Sequence, residues 1–225
     1  LGLTEPMQSH STGIRNLDGI VYKGIEIPLP PLPEQHRIVA LLDKAFAAIS
    51  KAKENVEKNL KSSQELFESY LENIFKNYGK EWDNNTLGEL CEIKHGFAFK
   101  GEYFTNQGDF VLLTPGNFFE KGGYRDRKEK QKYYSGEIPA GYILAKGDLL
   151  IAMTEQAAGL LGSPILIPED NKFLHNQRLG LLIFKKSVRI NSHFIFYLFN
   201  TVRIRGLIEK TATGVKVRHT SPRKI

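Results

Sequence analysis

Residues 27–45 read IPLPPLPEQHRIVALLDKA, and the junction inside that stretch decides the fold. Pro28, Pro30, Pro31 and Pro33 hold the backbone extended and remove four amide donors, so a low-entropy strap runs straight into the next element. From Glu34 to Tyr78 there is neither Pro nor Gly, and Ala, Leu, Glu, Lys and Gln dominate. These are strong helix formers. Pro33 suits the first helical position and Glu34 the positive end of the helix. Leu29 and Leu32 are expected to pin the strap to its surroundings. Apolar or small residues recur at Ile38, Leu42, Ala45, Ile49, Ala52, Val56, Leu60, Ser63, Phe67, Leu71, Ile74 and Tyr78. Such steps of three and four make one stripe along a helix roughly 65 Å long. A compact domain from this chain cannot wrap a helix of that length. The stripe therefore predicts pairing with another helix, antiparallel or bundled, through Ile38, Leu42, Ala45, Ile49, Val56, Leu60, Phe67 and Leu71. Gly79, with Lys76 and Lys80 beside it, is expected to cap the C-terminal end.

Beyond Thr86 the texture changes. Short β-prone runs (FVLLTP at 110–115, YILAKGDLLIAM at 142–153, GSPILIP at 162–168, RLGLLIFK at 178–185) alternate with turn residues. Residues 191–210 predict one helix, capped by Asn191, with Phe194, Ile195, Leu198, Phe199 and Val202 on its apolar face. The fold class that results is α+β: a mixed α/β domain with a substantial sheet, plus one long coiled-coil helix. There is also an internal echo, since STGIRNLDGI at 11–20 resembles ATGVKVRHTS at 212–221.

Composition narrows the function. The 225 residues carry a net charge of +6, with 41% hydrophobic and 11% aromatic residues, ordinary values for a globular chain. One cysteine, Cys91, forms no internal disulfide and no cysteine-rich zinc site, and it reads as a small buried residue. No apolar run nears the roughly 20 residues that span a bilayer, so no membrane role is expected and a cytoplasmic location fits. A chain that opens on Leu1 is expected to begin at a cut or processed end. The charge is uneven. Residues 34–78 carry seven charges of each sign, whereas 185–225 carry ten basic residues against one acid, Glu209. That asymmetry points to a polyanionic partner.

Catalytic signatures are missing. The six histidines form no HExxH or other close ligand pair, so no metal site is expected, and there is neither a P-loop nor a GxGxxG. LLTPGNFF at 112–119 has the wrong order for an amino-methyltransferase motif. GDLLIAMTEQA at 147–157 supplies two carboxylates in nuclease fashion, but Ala157 stands where a lysine would complete the centre.

The strap and helix, IPLPPLPEQHRIVALLDKAFAAI at 27–49, resemble the conserved region of specificity subunits of type I restriction–modification enzymes. LGELCEIKHGFAFKGEYF (87–104) is similar to the start of a target-recognition domain, and IPAGYILAKGDLLIAM (138–153) to its central strands. LHNQRLGLLIF (174–184) resembles its Asn-Gln segment and ATGVKVRHTSPRKI (212–225) its end. The resemblance implies three parts. Residues 1–33 form the tail of one recognition domain and the strap, 34–80 a spacer helix, and 82–225 a complete target-recognition domain. It implies a non-catalytic, sequence-specific DNA-binding subunit of a restriction system that reads half of a bipartite site. Its partners would be double-stranded DNA, methyltransferase subunits, the restriction subunit through them, and a second specificity half or second copy through the helix. No cofactor of its own is implied; S-adenosylmethionine, ATP and magnesium would belong to those partners in DNA methylation and cleavage. Full-length members carry two recognition domains and two helices, so either a fragment or a half-subunit fits this chain. A rival from another class is a non-enzymatic coiled-coil adaptor whose basic domain binds RNA or protein.

Base reading needs long polar side chains on loops, with cations gripping phosphates around them. Gln156, Gln177 and Arg178 are the base-reading candidates; Gln177 is equally a structural amide holding a turn. Arg125, Arg127, Lys128, Lys132, Lys216, Arg218 and His219 are the phosphate candidates. Arg203 and Arg205 read as decoration of a helix face. Tyr124, Tyr133 and Tyr134 suit either a groove or the core.

Overall fold

The structure is a computed structural model that describes residues 7–11, 14–77, 79, 82–156 and 158–225. It divides into two units, Leu1–Ser62 and Ser63–Ile225.

In the first unit, β1 (Gln8–Ser11) and β2 (Ile14–Leu17) form an antiparallel hairpin in which Ser11 faces Ile14 and Gln8 faces Leu17. Asp18 then caps a short helix, α1 (Gly19–Lys23), its carboxylate accepting the amides of Ile20 at 2.9 Å and Val21 at 3.2 Å. After the strap comes α2, Leu32–Lys76, one unbroken helix of 45 residues. It starts one residue before the position expected from Pro33. The Pro31 carbonyl already accepts the amides of Glu34 and Gln35, and the Gln35 side chain donates to the Pro30 carbonyl at 2.8 Å. The first turn needs no amide from Pro33, so proline sits comfortably one place further in. A two-pronged Arg37–Glu34 pair at 2.7 Å closes this turn and holds the Glu34 carboxyl below its usual range. Leu29 and Leu32 are both exposed, contrary to the expectation that they pin the strap. Of the stripe, Ile38, Leu42, Ala45, Ile49, Val56, Leu60 and Phe67 are exposed.

The second unit holds the core and the last turns of α2. The helix ends at Lys76, with the Asn77 amide still bonded to the Asn73 carbonyl at 3.0 Å. The cap expected at Gly79 involves Tyr78 and Lys80, which fall outside the described residues. A short helix, α3 (Leu87–Leu90), leads into β3 (Cys91–His95), after which come β4 (Phe104–Thr105), β5 (Val111–Leu112) and β6 (Tyr133–Tyr134). Next are β7 (Leu149–Ala152), β8 (Thr154–Glu155), β9 (Pro164–Leu166), β10 (Phe173–Leu174) and β11 (Leu179–Phe184). Helices α4 (Ser192–Phe199) and α5 (Val202–Lys210) and strand β12 (Arg218–His219) complete the unit.

One antiparallel sheet runs β3-β11-β7-β9, and a second runs β10-β5-β6-β4, with β10 and β5 parallel. The strand Leu149–Ala152 is apolar throughout because both of its faces are covered. Leu150 and Ala152 meet Val111, Phe118 and Phe173 between the sheets, while Leu149 and Ile151 meet Ile195, Phe199 and Ile208 of the helical layer. Beyond the second sheet, Phe99, Leu112, Tyr134 and Leu174 form a further cluster. Tyr124 and Tyr133 pack against the first cluster, so all three tyrosines belong to the core. Cys91 is buried, and that burial raises its thiol pKa.

The helix expected over 191–210 is two helices. Thr201 breaks it: its hydroxyl donates to the Leu198 carbonyl at 2.7 Å and accepts the Ile204 amide, capping α5. Ile195 and Phe199 are buried as expected, but Val202 is exposed beyond the break. Phe194 stays partly exposed, its ring 5.3 Å from that of Phe75 near the end of α2. Leu71 is buried, and the Glu72 carboxylate accepts the Val202 amide at the positive end of α5. The last turns of α2 are therefore built into the helical layer of this unit.

Candidate nucleic-acid interface

A groove of about 870 Å³ opens on the second unit, and five of the sequence candidates line it: Arg125, Arg127, Lys132, Gln156 and Arg178. Three separate loops bring them there.

The first loop hangs on Asn117, which is fully buried. Its carbonyl oxygen accepts the amide and hydroxyl of Thr114, each at 3.0 Å, and its amide nitrogen donates to Gln131 at 2.7 Å and to the Arg125 carbonyl at 3.3 Å. The Arg125 amide returns a bond to the Asn117 carbonyl at 2.7 Å. One side chain thus ties residue 114 to 131 and sets where Arg125, Arg127 and Lys132 emerge. Gly116 leaves space for the Arg127 guanidinium, since a Cβ there would lie 2.8 Å from Nη1. The Arg125 guanidinium lies 5.9 Å from the Phe119 ring centroid, and Lys132 Nζ lies 5.4 Å from that of Phe104. Such stacking orients a cation without neutralising it.

The second loop follows β8 and carries Gln156. Glu155, 2% exposed, supports it from beneath: its carboxylate accepts the amides of Leu160 at 2.9 Å and Leu161 at 3.1 Å and pairs with Arg218 at 3.1 Å. Arg218 also pairs with Glu209 at 2.8 Å, and that bond raises its pKa. Arg205 donates to the Gly159 carbonyl, and burial pulls its pKa down to about 10. It therefore fastens a loop, a larger task than decorating a helix face. The other carboxylate of the nuclease-like run, Asp148, accepts the Ala145 amide at 2.9 Å. Both acids are thus committed to holding backbone.

The third loop is His-Asn-Gln-Arg, 175–178. His175 is fully buried, and its Nε2 donates to the Leu179 carbonyl at 2.9 Å; burial pushes its pKa down to about 4. The Asn176 side chain accepts the Arg178 amide at 3.1 Å, and the Gln177 amide donates to the Phe97 carbonyl at 2.9 Å. The side chain that holds this turn is that of Asn176, which leaves those of Gln177 and Arg178 exposed. Arg178 lines the groove; Gln177 lies outside its lining.

Among the described residues, none of Arg125, Arg127, Lys132 and Arg178 is paired with a carboxylate; the groove is also lined by Glu120 and Glu155, the latter engaged by Arg218, so the four cations outnumber the carboxylates facing it. The remaining candidates lie elsewhere. Lys128 is exposed on a tight turn, its amide bonded to Asp126 at 2.8 Å. Lys216 and His219 belong to the exposed 213–219 loop, and Arg218 is engaged by two carboxylates. The positioning roles of Asn117 and Glu155 escape a reading by motif, although the Thr114–Asn117 spacing is that of a capping box. No group of His, Cys, Asp and Glu side chains among the described residues could hold a metal ion, and no described helix is long and apolar enough to cross a membrane.

Comparison with known proteins identifies the family. The family model "Type I restriction modification DNA specificity domain" matches residues 3–58 and 79–218. The type I restriction enzyme MjaVIII specificity subunit of Methanocaldococcus jannaschii is 28% identical over 220 residues, covering 92% of this chain and 51% of that protein. The EcoBI specificity subunit of Escherichia coli is 27% identical over 164 residues, covering 73% of this chain and 31% of that protein. The chain thus spans about half the length of the first relative and less of the second. A chain from a solved type I R-M system, described for its complex assembly and conformational transition, shares the fold with a TM-score of 0.58. It is 18% identical and covers 88% of this chain and 47% of that one.

Proposed function

Because this chain belongs to the type I restriction modification DNA specificity domain family, we propose that residues 63–225 read one half of a split duplex DNA site. The observation that carries this reading is the convergence of Arg125, Arg127, Lys132 and Arg178, all unpaired, with Gln156 in a single groove. Four cations supply backbone attraction of any sequence, while Gln156 and the Arg178 guanidinium can each make paired hydrogen bonds to a base edge. Helix α2, with its exposed stripe, pairs with the helix of a second specificity half or second copy and sets the distance between half-sites. The subunit itself does no covalent chemistry. Methyltransferase subunits, and the restriction subunit through them, assemble on it in the cytoplasm and bring S-adenosylmethionine, ATP and magnesium. Selection from random duplex DNA tests the reading. A short defined motif is expected to emerge, and unbiased recovery of all sequences would refute it.

A further inference from the structure

The hairpin loop near the C-terminus bears the most exposed large apolar side chain among the described residues, Val215 at 97%. A valine facing water is unremarked on most surfaces. This one is held out by a stiff support. Thr213 and His219 exchange two backbone hydrogen bonds of 2.9 Å. Between them Gly214 turns the chain at φ +103°, where an added Cβ would lie 2.2 Å from the Val217 carbonyl oxygen, so the turn requires glycine. Beneath the tip, Arg218 is clamped by Glu155 and Glu209. A loop already this ordered loses little further entropy when it binds.

The register of the ribbon says where the tip lies. β12 pairs antiparallel with β8, Arg218 opposite Glu155 and His219 opposite Thr154. Continued one residue, that register sets Val217 opposite Gln156. The Gln156 loop and the Val215–Lys216 tip therefore leave the ribbon at the same end, beside the basic groove. The run Thr-Gly-aliphatic-basic also occurs at 12–15, ahead of the strap. A short run shared by two recognition segments suits a contact that ignores base sequence, because the two would read different half-sites.

We infer that Val215 and Lys216 form a sequence-independent clamp on the DNA backbone, Lys216 against a phosphate and Val215 against the adjoining deoxyribose. The clamp fixes the register at which Gln156 meets a base edge. This rests on the DNA-recognition reading above and adds to it a division of labour across one ribbon. Sugar and phosphate contacts position a protein, and base contacts specify.

The test uses the full chain with Val215→Ala, Lys216→Ala or Gln156→Ala, titrated by fluorescence anisotropy against the selected duplex and a scrambled one over a range of salt. Lys216→Ala should weaken both duplexes by the same factor and reduce the salt slope by about 1. Val215→Ala should weaken both by roughly fifteenfold, the scale of two lost methyl-sized groups, with the slope unchanged. Gln156→Ala should weaken the selected duplex alone. The clamp is overturned if either tip variant leaves both affinities unchanged, or if it alters the preference between the duplexes, which would make the tip a base reader. A wild-type chain with no preference between the duplexes would instead sink the recognition reading, and the clamp with it.

Discussion

Lowering the pH should loosen the loop that carries Gln177 and Arg178, because His175 is buried as the neutral imidazole. Its ordinary pKa of 6.5 is pushed down to about 4, chiefly by burial, and its Nε2–H is spent on the Leu179 carbonyl while Nδ1 finds no partner among the described residues. As pH falls, the unfolded chain takes up this proton near 6.5, whereas the folded chain resists it until about 4. Stability from this group is thus complete above the unfolded value and is lost between the two. A shift of that size amounts to about 3 kcal/mol when fully expressed, and about 2 kcal/mol of it is gone at pH 5. Urea unfolding at pH 7 and pH 5 measures the loss, and His175→Gln supplies the control, since every other titrating group stays in place. The wild type should lose about 2 kcal/mol more than the variant over this interval. Equal losses in the two proteins would refute the idea that a buried neutral histidine holds the turn.

The same geometry fixes three further outcomes. DNA affinity should fall steeply with salt; if the four groove cations and Lys216 each displace a counterion, log K against log salt should slope by about −4.5, and a flat response contradicts the groove assignment. Replacing Leu42 and Ile49 together by Lys should abolish self-association or assembly in light scattering while circular dichroism reports residues 86–225 still folded; an unchanged oligomer counts against helix pairing. Glu155→Ala strips two backbone amides of their acceptor and Arg218 of one of its two carboxylate partners, and should cost about 3 kcal/mol in chemical denaturation. A loss below about 1 kcal/mol would mean that the buried carboxylate is dispensable.

The elements legible in the sequence were those whose pattern is local. The long helix declared itself by its stripe and by the proline run before it. The strand at 149–152 did so by an unbroken apolar run that only a doubly covered strand tolerates. The break at Thr201 was also local, a cap residue in plain view, but a continuous apolar face masked it. What stayed hidden depends on long-range closure. The two-residue strands β8 and β12 are too short to leave a pattern, yet their pairing joins the Gln156 loop to the 213–219 hairpin. The groove draws its cations from residues 125 to 178, and nothing in their spacing says that they meet. Asn117 and Glu155 presented themselves as fragments of catalytic motifs because positioning and catalysis use the same polar side chains. Burial distinguishes the two roles, and burial is not written in one sequence.

The strap has a consequence for solubility. Ile27 and Leu29 are both exposed, two apolar side chains at alternate positions of an extended segment, of the kind that recruits strands from neighbouring molecules. Four of the seven residues from Ile27 to Pro33 are prolines, so the segment offers too few amides to extend any ladder. The same residues that stiffen the approach to α2 act as gatekeepers against edge-to-edge aggregation. Replacing them to gain flexibility would leave a sticky, strand-competent ribbon beside the long exposed stripe of the helix.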